Sequence, residues 1–180
     1  MHLSLVNPER MVGMALINTG YMDYEELAAC QVLPDEVRYR KGPVAVIECI
    51  QEIPCNPCEA ACQFHAITIG EPITRLPVLQ AEKCTGCGVC VSKCPGLAIF
   101  VINKAYSKES ATVSFPYEYD PIPVQGMEVN AVNRKGEYVC GARVIKVMNP
   151  KSFDHTPVVT VEIPKAYADE VRGIKRLARR

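Results

Sequence analysis

Short apolar runs separated by turn residues dominate the second half of the chain and predict strands there. Four runs have strand length and are rich in β-branched residues: 111–115, 127–132, 138–147 and 158–163. Turn-forming residues lie between them at 133–136 and 149–152. An earlier β-branched run at 43–48 predicts one more strand, directly before the first of a group of cysteines. We therefore expect a small β-barrel or sandwich after residue 103.

Two segments predict helices. Residues 23–30 have a short helical pattern that ends before Pro34, inside an N-terminal arm over 1–43. Pro164 opens a longer amphipathic stretch over 164–180. Its apolar stripe and basic flank are Val171, Ile174, Leu177 and Ala178, with Arg172, Lys175, Arg176, Arg179 and Arg180 around them. This C-terminal helix fits either a solvated surface or an attachment to a partner subunit.

Cysteine placement adds a chemical signal to this pattern. Residues 84–95 read Cys-x2-Cys-x2-Cys-x3-Cys-Pro, the spacing of bacterial iron-sulfur ligation, in which three thiolates bind one cluster and the fourth binds another. The four thiols are Cys84, Cys87, Cys90 and Cys94. Four-cysteine zinc sites usually place two pairs well apart, so the contiguous run favours an iron-sulfur cluster over zinc.

A first cysteine group is an imperfect copy of the second. One constant shift along the chain lays Cys55, Cys58 and Cys62 on Cys87, Cys90 and Cys94. The copies predict two half-units, each with a cysteine loop, a short helix and a strand, around one core. The same shift aligns Glu52, not a cysteine, with Cys84, and the nearest preceding cysteine is Cys49. Cys49 is the favoured ligand, with a Glu52 carboxylate or a three-iron cluster as alternatives.

Residues 44–103 resemble the two-cluster 4Fe-4S ferredoxin family through these two groups. The resemblance implies two 4Fe-4S clusters with crossed ligation. One cluster would take Cys49, Cys55, Cys58 and Cys94, and the other Cys84, Cys87, Cys90 and Cys62. It also implies that the chain carries single electrons.

Composition and charge exclude several other roles. Twenty basic and twenty acidic side chains give a formal net charge of zero, which offers no positive field for nucleic acid. The sequence has no apolar run long enough to predict a membrane span. Clustered cysteines in a chain without a signal-like start suggest metal binding in a reducing compartment, so we expect a cytoplasmic protein.

The whole chain resembles the 4Fe-4S subunits of flavin-dependent amino-acid or imino-acid dehydrogenases of the proline, hydroxyproline and opine type. The segments that carry this resemblance are 42–58 and 149–161. It implies an FAD-containing catalytic subunit and a small 2Fe-2S subunit as partners. The chain would then relay electrons between the flavin and an acceptor, without being catalytic alone. The alternative is a freely diffusing two-cluster ferredoxin with an appended β domain.

The predicted architecture is α+β. It comprises the arm over 1–43, a duplicated bacterial-ferredoxin-type domain over 44–103, a small β-rich domain over 104–163 and the helix over 164–180. Outside the cysteine groups, Cys30 and Cys140 are interpreted as packing residues. His65 is interpreted as structural, because its repeat counterpart is Leu97. The aromatic residues Phe115, Tyr117 and Tyr119 fit a core cluster or a recognition surface equally well.

Overall fold

The computed structural model describes residues 27–28, 33–50 and 52–178. Its regular structure is mixed, with more sheet than helix. The described helices are α1 (Glu36–Tyr39), α2 (Pro57–Ala61) and α3 (Val89–Lys93), with 3-10 turns at Ala81–Lys83, Lys151–Phe153 and Lys165–Tyr167. The strands are β1 (Val44–Ile47), β2 (Ile67–Thr68), β3 (Val78–Leu79), β4 (Ile99–Asn103), β5 (Ser110–Pro116), β6 (Glu128–Val132), β7 (Tyr138–Met148), β8 (Val158–Pro164) and β9 (Gly173–Ile174).

The predicted N-terminal helix lies largely outside the described residues. Of residues 23–30, the structure describes Leu27 and Ala28, which are helical, and Leu27 is fully buried. Cys30 also lies outside them, so its prediction as a packing residue stays a prediction. In the described part of the chain, no helix has the length and apolar character needed to cross a bilayer.

Strands β1 and β4–β9 form one antiparallel sheet in the order β1-β4-β5-β8-β7-β6-β9. The five runs predicted as strands all form strands in this sheet. β6 alternates exposed and buried residues, as expected for a strand with one face against the core. The inner strand β5 is buried at almost every position, because both of its faces are covered.

One helix and the start of one strand over 44–103 recur at one constant interval. Helix α2 begins at Pro57 and α3 at Val89, and both are five residues long. Strands β2 and β4 begin at Ile67 and Ile99, so the strands repeat at the same interval as the helices. Strands β1 and β4 pair, β2 and β3 pair, and the two helices contact each other. This arrangement brings both cysteine groups next to one shared core.

The predicted boundary at residue 103 falls between two paired strands. β4 pairs with β5 through Val101 and Ser114, so the strands after residue 103 continue the sheet that holds β1 and β4. The core under the cysteines draws on both sides of that boundary, since it contains Cys58, Cys90, Phe153 and Val158. The cysteine region and the β-rich region therefore share one sheet and part of one core.

The predicted C-terminal helix is wrong. After the 3-10 turn at Lys165–Tyr167, the chain extends into β9 and pairs with β6. The backbone N–H groups of Arg172 and Lys175 donate to the carbonyls of Val132 and Asn130. The spacing of three between Val171 and Ile174 fits a helix, yet both side chains are buried against the sheet from extended backbone. Pairing with β6 outweighs the weak local preference for helix.

Candidate iron-sulfur site

Two cavities of similar size are each lined by four cysteines. Their volumes, open mouths included, are about 380 and 350 Å³. Cys49, Cys55, Cys58 and Cys94 line the first cavity. Cys62, Cys84, Cys87 and Cys90 line the second. We call these the Cys49 cavity and the Cys84 cavity. The division matches the two ligand sets that the ferredoxin resemblance implies.

Each short helix contributes one cysteine to each cavity. Cys58 lies within α2 and lines the Cys49 cavity, whereas Cys62 caps the end of α2 and lines the Cys84 cavity. In α3 the order is reversed. Cys90, within the helix, lines the Cys84 cavity, and Cys94, at its end, lines the Cys49 cavity. Four residues of helix rise by about 6 Å, so each helix joins the two cavities over a short distance.

Backbone N–H groups hold three of the sulfur atoms. Ala66 N–H donates to Cys62 Sγ at 3.2 Å, and Ala98 N–H donates to Cys94 Sγ at 3.4 Å. Ala45 N–H, in β1, donates to Cys84 Sγ at 3.3 Å. Donors of this kind stabilise the thiolate form that an iron-sulfur cluster requires and tune the cluster's potential.

The hydrogen bonds from Ala66 to Cys62 and from Ala98 to Cys94 depend on equivalent left-handed turns. His65 has φ of 48° and Leu97 has φ of 51°, one residue before the alanine that donates to sulfur. His65 is exposed. These equivalent turns agree with the interpretation of His65 as structural rather than as a ligand.

The loop that carries Cys84 fits closely against residues from outside the cysteine groups. Gly86 has φ of +67°, and a Cβ atom there would lie 2.5 Å from Pro43 Cβ, so a side chain cannot be accommodated without movement. The buried Arg38, from α1, donates to the carbonyl of Cys84 at 2.6 Å and to that of Pro43 at 2.9 Å. Sequence reasoning missed Arg38, because nothing in its neighbourhood distinguishes it from a surface arginine.

The most buried cysteine of each cavity needs a cationic centre nearby to ionise at neutral pH. Burial raises the pKa of the Cys58 thiol to about 11, and the charge of Cys94 adds to the shift. Burial raises the pKa of Cys90 to about 12, with Cys84 and Cys87 as further contributors. Thiolate sulfur is the donor that iron-sulfur clusters select, so the donor set of each cavity fits a 4Fe-4S cluster.

The geometry bears on the open choice between Cys49 and Glu52. Cys49 lines its cavity, whereas Glu52 is exposed and is not among the lining residues. In the described part of the chain, no three cysteine, histidine or carboxylate side chains are grouped as one metal ion requires. The cysteines instead surround two cavities. Ligation by the eight cysteines stays a prediction, which this arrangement supports.

A buried ion network lies directly beside Cys49. Glu48 accepts hydrogen bonds from Arg134 Nε and Arg172 Nε, both at 2.7 Å, and Arg134 Nη2 makes a further ion pair with it. All three side chains are less than a tenth exposed. Burial lowers the pKa of Arg172, and the carboxylate of Glu48 opposes that shift. The one sequence signal for this network was a charged residue at the end of the apolar strand β1.

The remaining singled-out residues lie away from both cavities. Cys140 is buried in β7 within the main core, which confirms its interpretation as a packing residue. Burial raises the pKa of its thiol, and the nearby Glu170 adds to the shift. Phe115 and Tyr117 are core residues, whereas Tyr119 is exposed and contacts Tyr117 edge to face at 5.6 Å.

A family model described as a 4Fe-4S binding domain matches residues 77–100. That range contains the four cysteines of the second group, helix α3 and the first residues of β4. No solved structure matches the chain significantly.

Several curated proteins are similar over part of the chain. An uncharacterized ferredoxin of Methanocaldococcus jannaschii is 33% identical over 87 residues, which are 47% of this chain and 54% of that protein. The polyferredoxin-like subunit of the aliphatic sulfonate oxidoreductase of Pyrococcus furiosus is 44% identical over 98 residues, 51% of this chain and 53% of that subunit. One subunit of the Na(+)-translocating ferredoxin:NAD(+) oxidoreductase complex of Acetobacterium woodii is 46% identical over 48 residues, 27% of this chain and 14% of that subunit.

These matches cover about half, or less, of each relative's length. The part of the chain for which a family is identified is therefore residues 77–100, which match a 4Fe-4S binding domain.

Proposed function

We propose that this chain is an electron-transfer subunit of a multi-subunit oxidoreductase and holds two 4Fe-4S clusters. The Cys49 cavity would hold one cluster and the Cys84 cavity the other, within a duplicated ferredoxin-type domain over 44–103. The observation that carries this proposal is the division of eight cysteines into two cavities of four. The clusters supply reversible one-electron chemistry.

The chain's own residues would set the environment for that chemistry. Ala45, Ala66 and Ala98 donate hydrogen bonds to the sulfur atoms, and Arg38 fixes the loop that carries Cys84. Apolar side chains such as those of Ile47, Ile69 and Ile99 line the Cys49 cavity and limit access of water. Helices α2 and α3 contact each other, and each carries one cysteine of either cavity, so the two cavities lie side by side.

The finer proposal concerns the partners. The relatives from Pyrococcus furiosus and Acetobacterium woodii are named as subunits of oxidoreductases, which supports assembly with other chains. We propose an FAD-containing dehydrogenase subunit for amino or imino acids as the electron donor, with a 2Fe-2S subunit as a further partner. Catalysis would belong to the flavin subunit. A freely diffusing carrier is the second candidate, favoured by the similarity to an archaeal ferredoxin.

Metal analysis tests the cluster proposal. The anaerobically purified chain should contain about eight iron and eight sulfide per chain, four of each per cluster. About four of each would leave one cluster, and zinc without sulfide would refute the proposal. Cys49→Ser should change the spectra of one cluster and lower the iron content, whereas Glu52→Gln should change neither. Unchanged iron and spectra in Cys49→Ser would refute the assignment of Cys49.

Anaerobic affinity purification from the native cells tests the partners. Recovery with a flavoprotein at a fixed ratio, together with FAD and iron, would support the dehydrogenase assembly. Recovery of the chain with iron and sulfide and without a partner would favour the diffusing carrier.

A further inference from the structure

A third and larger cavity borders the loop that follows Cys94. Its volume, open mouth included, is about 1520 Å³, which is large enough to admit a small molecule. Gly96, Leu97 and Ala98 form part of its wall, and Ala98 N–H is the donor to Cys94 Sγ. Whatever occupies this cavity, which we call the basic cavity, therefore lies next to a predicted cluster ligand.

The charge in the basic cavity is strongly positive. Its lining includes the carboxylate of Glu48 and four basic side chains, Arg134, Arg172, Lys175 and Arg176, a formal excess of three positive charges. The carboxylate is already bonded to the two buried arginines. Lys175 and Arg176 are exposed at its rim. A concave site with one sign of charge concentrates anions.

Two buried donors that line the basic cavity have no hydrogen-bond partner among the described residues. They are Arg172 Nη2 and the Tyr117 hydroxyl. The rest of the Arg172 guanidinium is fixed, since Nε donates to Glu48 and Nη1 donates to the carbonyls of Ala168 and Val171. Buried donors without acceptors are rare because each costs about 1–3 kcal/mol. Each is a donor that an oxyanion would satisfy.

Aromatic side chains form much of the remaining wall. Phe100, Phe115, Tyr117 and Tyr119 all line the basic cavity. The guanidinium of Arg172 lies 5.2 Å from the centroid of Phe100, and that of Arg176 lies 5.4 Å from the centroid of Tyr119. Tyr119 is the exposed ring among them and the other three are buried, so contact to a flat apolar body would be made chiefly by Tyr119.

We infer that the basic cavity binds a small organic anion that carries a carboxylate or phosphate group on a planar apolar body. Arg172 and Tyr117 bind the oxyanion, Lys175 and Arg176 add charge at the rim, and the exposed ring of Tyr119 contacts the body. A small ligand fits better than a flat protein surface, because the site is concave and the two unpartnered donors belong to buried side chains in its lining. This inference does not depend on the identity of the redox partner.

Isothermal titration of the full chain, loaded with iron and sulfide and held at constant ionic strength, tests this inference. The probes are phenyl phosphate, benzoate and inorganic phosphate, of which the first two separate phosphate from carboxylate recognition. We expect one saturable site for at least one aromatic anion, about tenfold tighter than for inorganic phosphate, since the ring adds buried apolar area.

Two variants and one control locate the site. Tyr117→Phe removes one hydroxyl that has no partner, so the fold is kept and binding should weaken about three- to tenfold. The double variant Lys175→Ala, Arg176→Ala should weaken binding about tenfold or more and reduce its salt dependence. Lys146→Ala removes an exposed charge on β7, outside the lining of the cavity, and should leave binding unchanged.

Three results would overturn the inference: no saturable binding of either aromatic anion at millimolar concentration, binding unaffected by Tyr117→Phe, or equal weakening by Lys146→Ala. Iron and sulfide are counted on the same samples. A failure of the cluster proposal would therefore show in the metal count and not in the titration.

Discussion

Replacing Glu48 by glutamine would leave two buried arginines without the carboxylate they share. The side chain of Glu48 is 8% exposed, and those of Arg134 and Arg172 are 8% and 3% exposed. Removing one partner of a buried ion pair costs about 3–5 kcal/mol, because the remaining charge is uncompensated. A change of 1 kcal/mol moves the melting temperature of a chain of this size by about 2–4 °C. Glu48→Gln should therefore lower the melting temperature by roughly 6–20 °C.

The chain offers a matched control for this variant. Glu128 pairs with Arg143 at 3.9 Å on the surface, with side chains 78% and 62% exposed. Exposed pairs contribute about 0–1 kcal/mol, so Glu128→Gln should have little effect on unfolding. Both variants are compared by anaerobic urea and thermal unfolding at equal iron content. A loss in Glu48→Gln no greater than in Glu128→Gln would refute the view that the buried network stabilises the fold.

Two further predictions concern a glycine and a lysine. Gly86→Ala should lower the iron content, and it should lower the free energy of unfolding by about 1–3 kcal/mol more than Gly136→Ala does. Both glycines have positive φ, but only at Gly86 would the added Cβ collide with Pro43. Equal losses in urea unfolding would contradict this. Burial opposes the charge of Lys104, but hydrogen bonds to Asp169 and a second carboxylate outweigh it and raise its pKa. Its stabilisation is complete below the unfolded value of about 10.4 and is lost as pH rises through the higher folded value. In Lys104→Met the free energy of unfolding should therefore fall less as pH rises through this range. A pH profile unchanged from that of the original chain would contradict the prediction.

Local pattern was sufficient for the elements whose signal lies within one segment. The strands β5–β8 follow from β-branched runs of the right length, and the cysteine spacing of 84–95 predicts the 4Fe-4S binding domain that the comparison found. The constant shift between the two cysteine groups anticipated that α2 and α3 would occupy equivalent positions.

Features that depend on distant pairing could not be predicted in the same way. The spacing of Val171, Ile174 and Leu177 suits a helix, but β6 offers an open edge, and the extended chain buries Val171 and Ile174 against the sheet. Arg172 belonged to a predicted basic surface, whereas the structure buries it against Glu48. Neither outcome has a local signal, because each partner lies far away in the sequence.

The connection between Glu48 and its two arginines also sets an order of events during synthesis. The arginines are separated from Glu48 by 86 and 124 residues along the chain. Most of the chain must therefore leave the ribosome before the residue beside Cys49 finds its partners, and such distant contacts form slowly. The core beneath both cavities also needs residues made late, since Cys58 and Cys90 pack with Phe153 and Val158, so both cavities become rigid only after most of the chain has been synthesised.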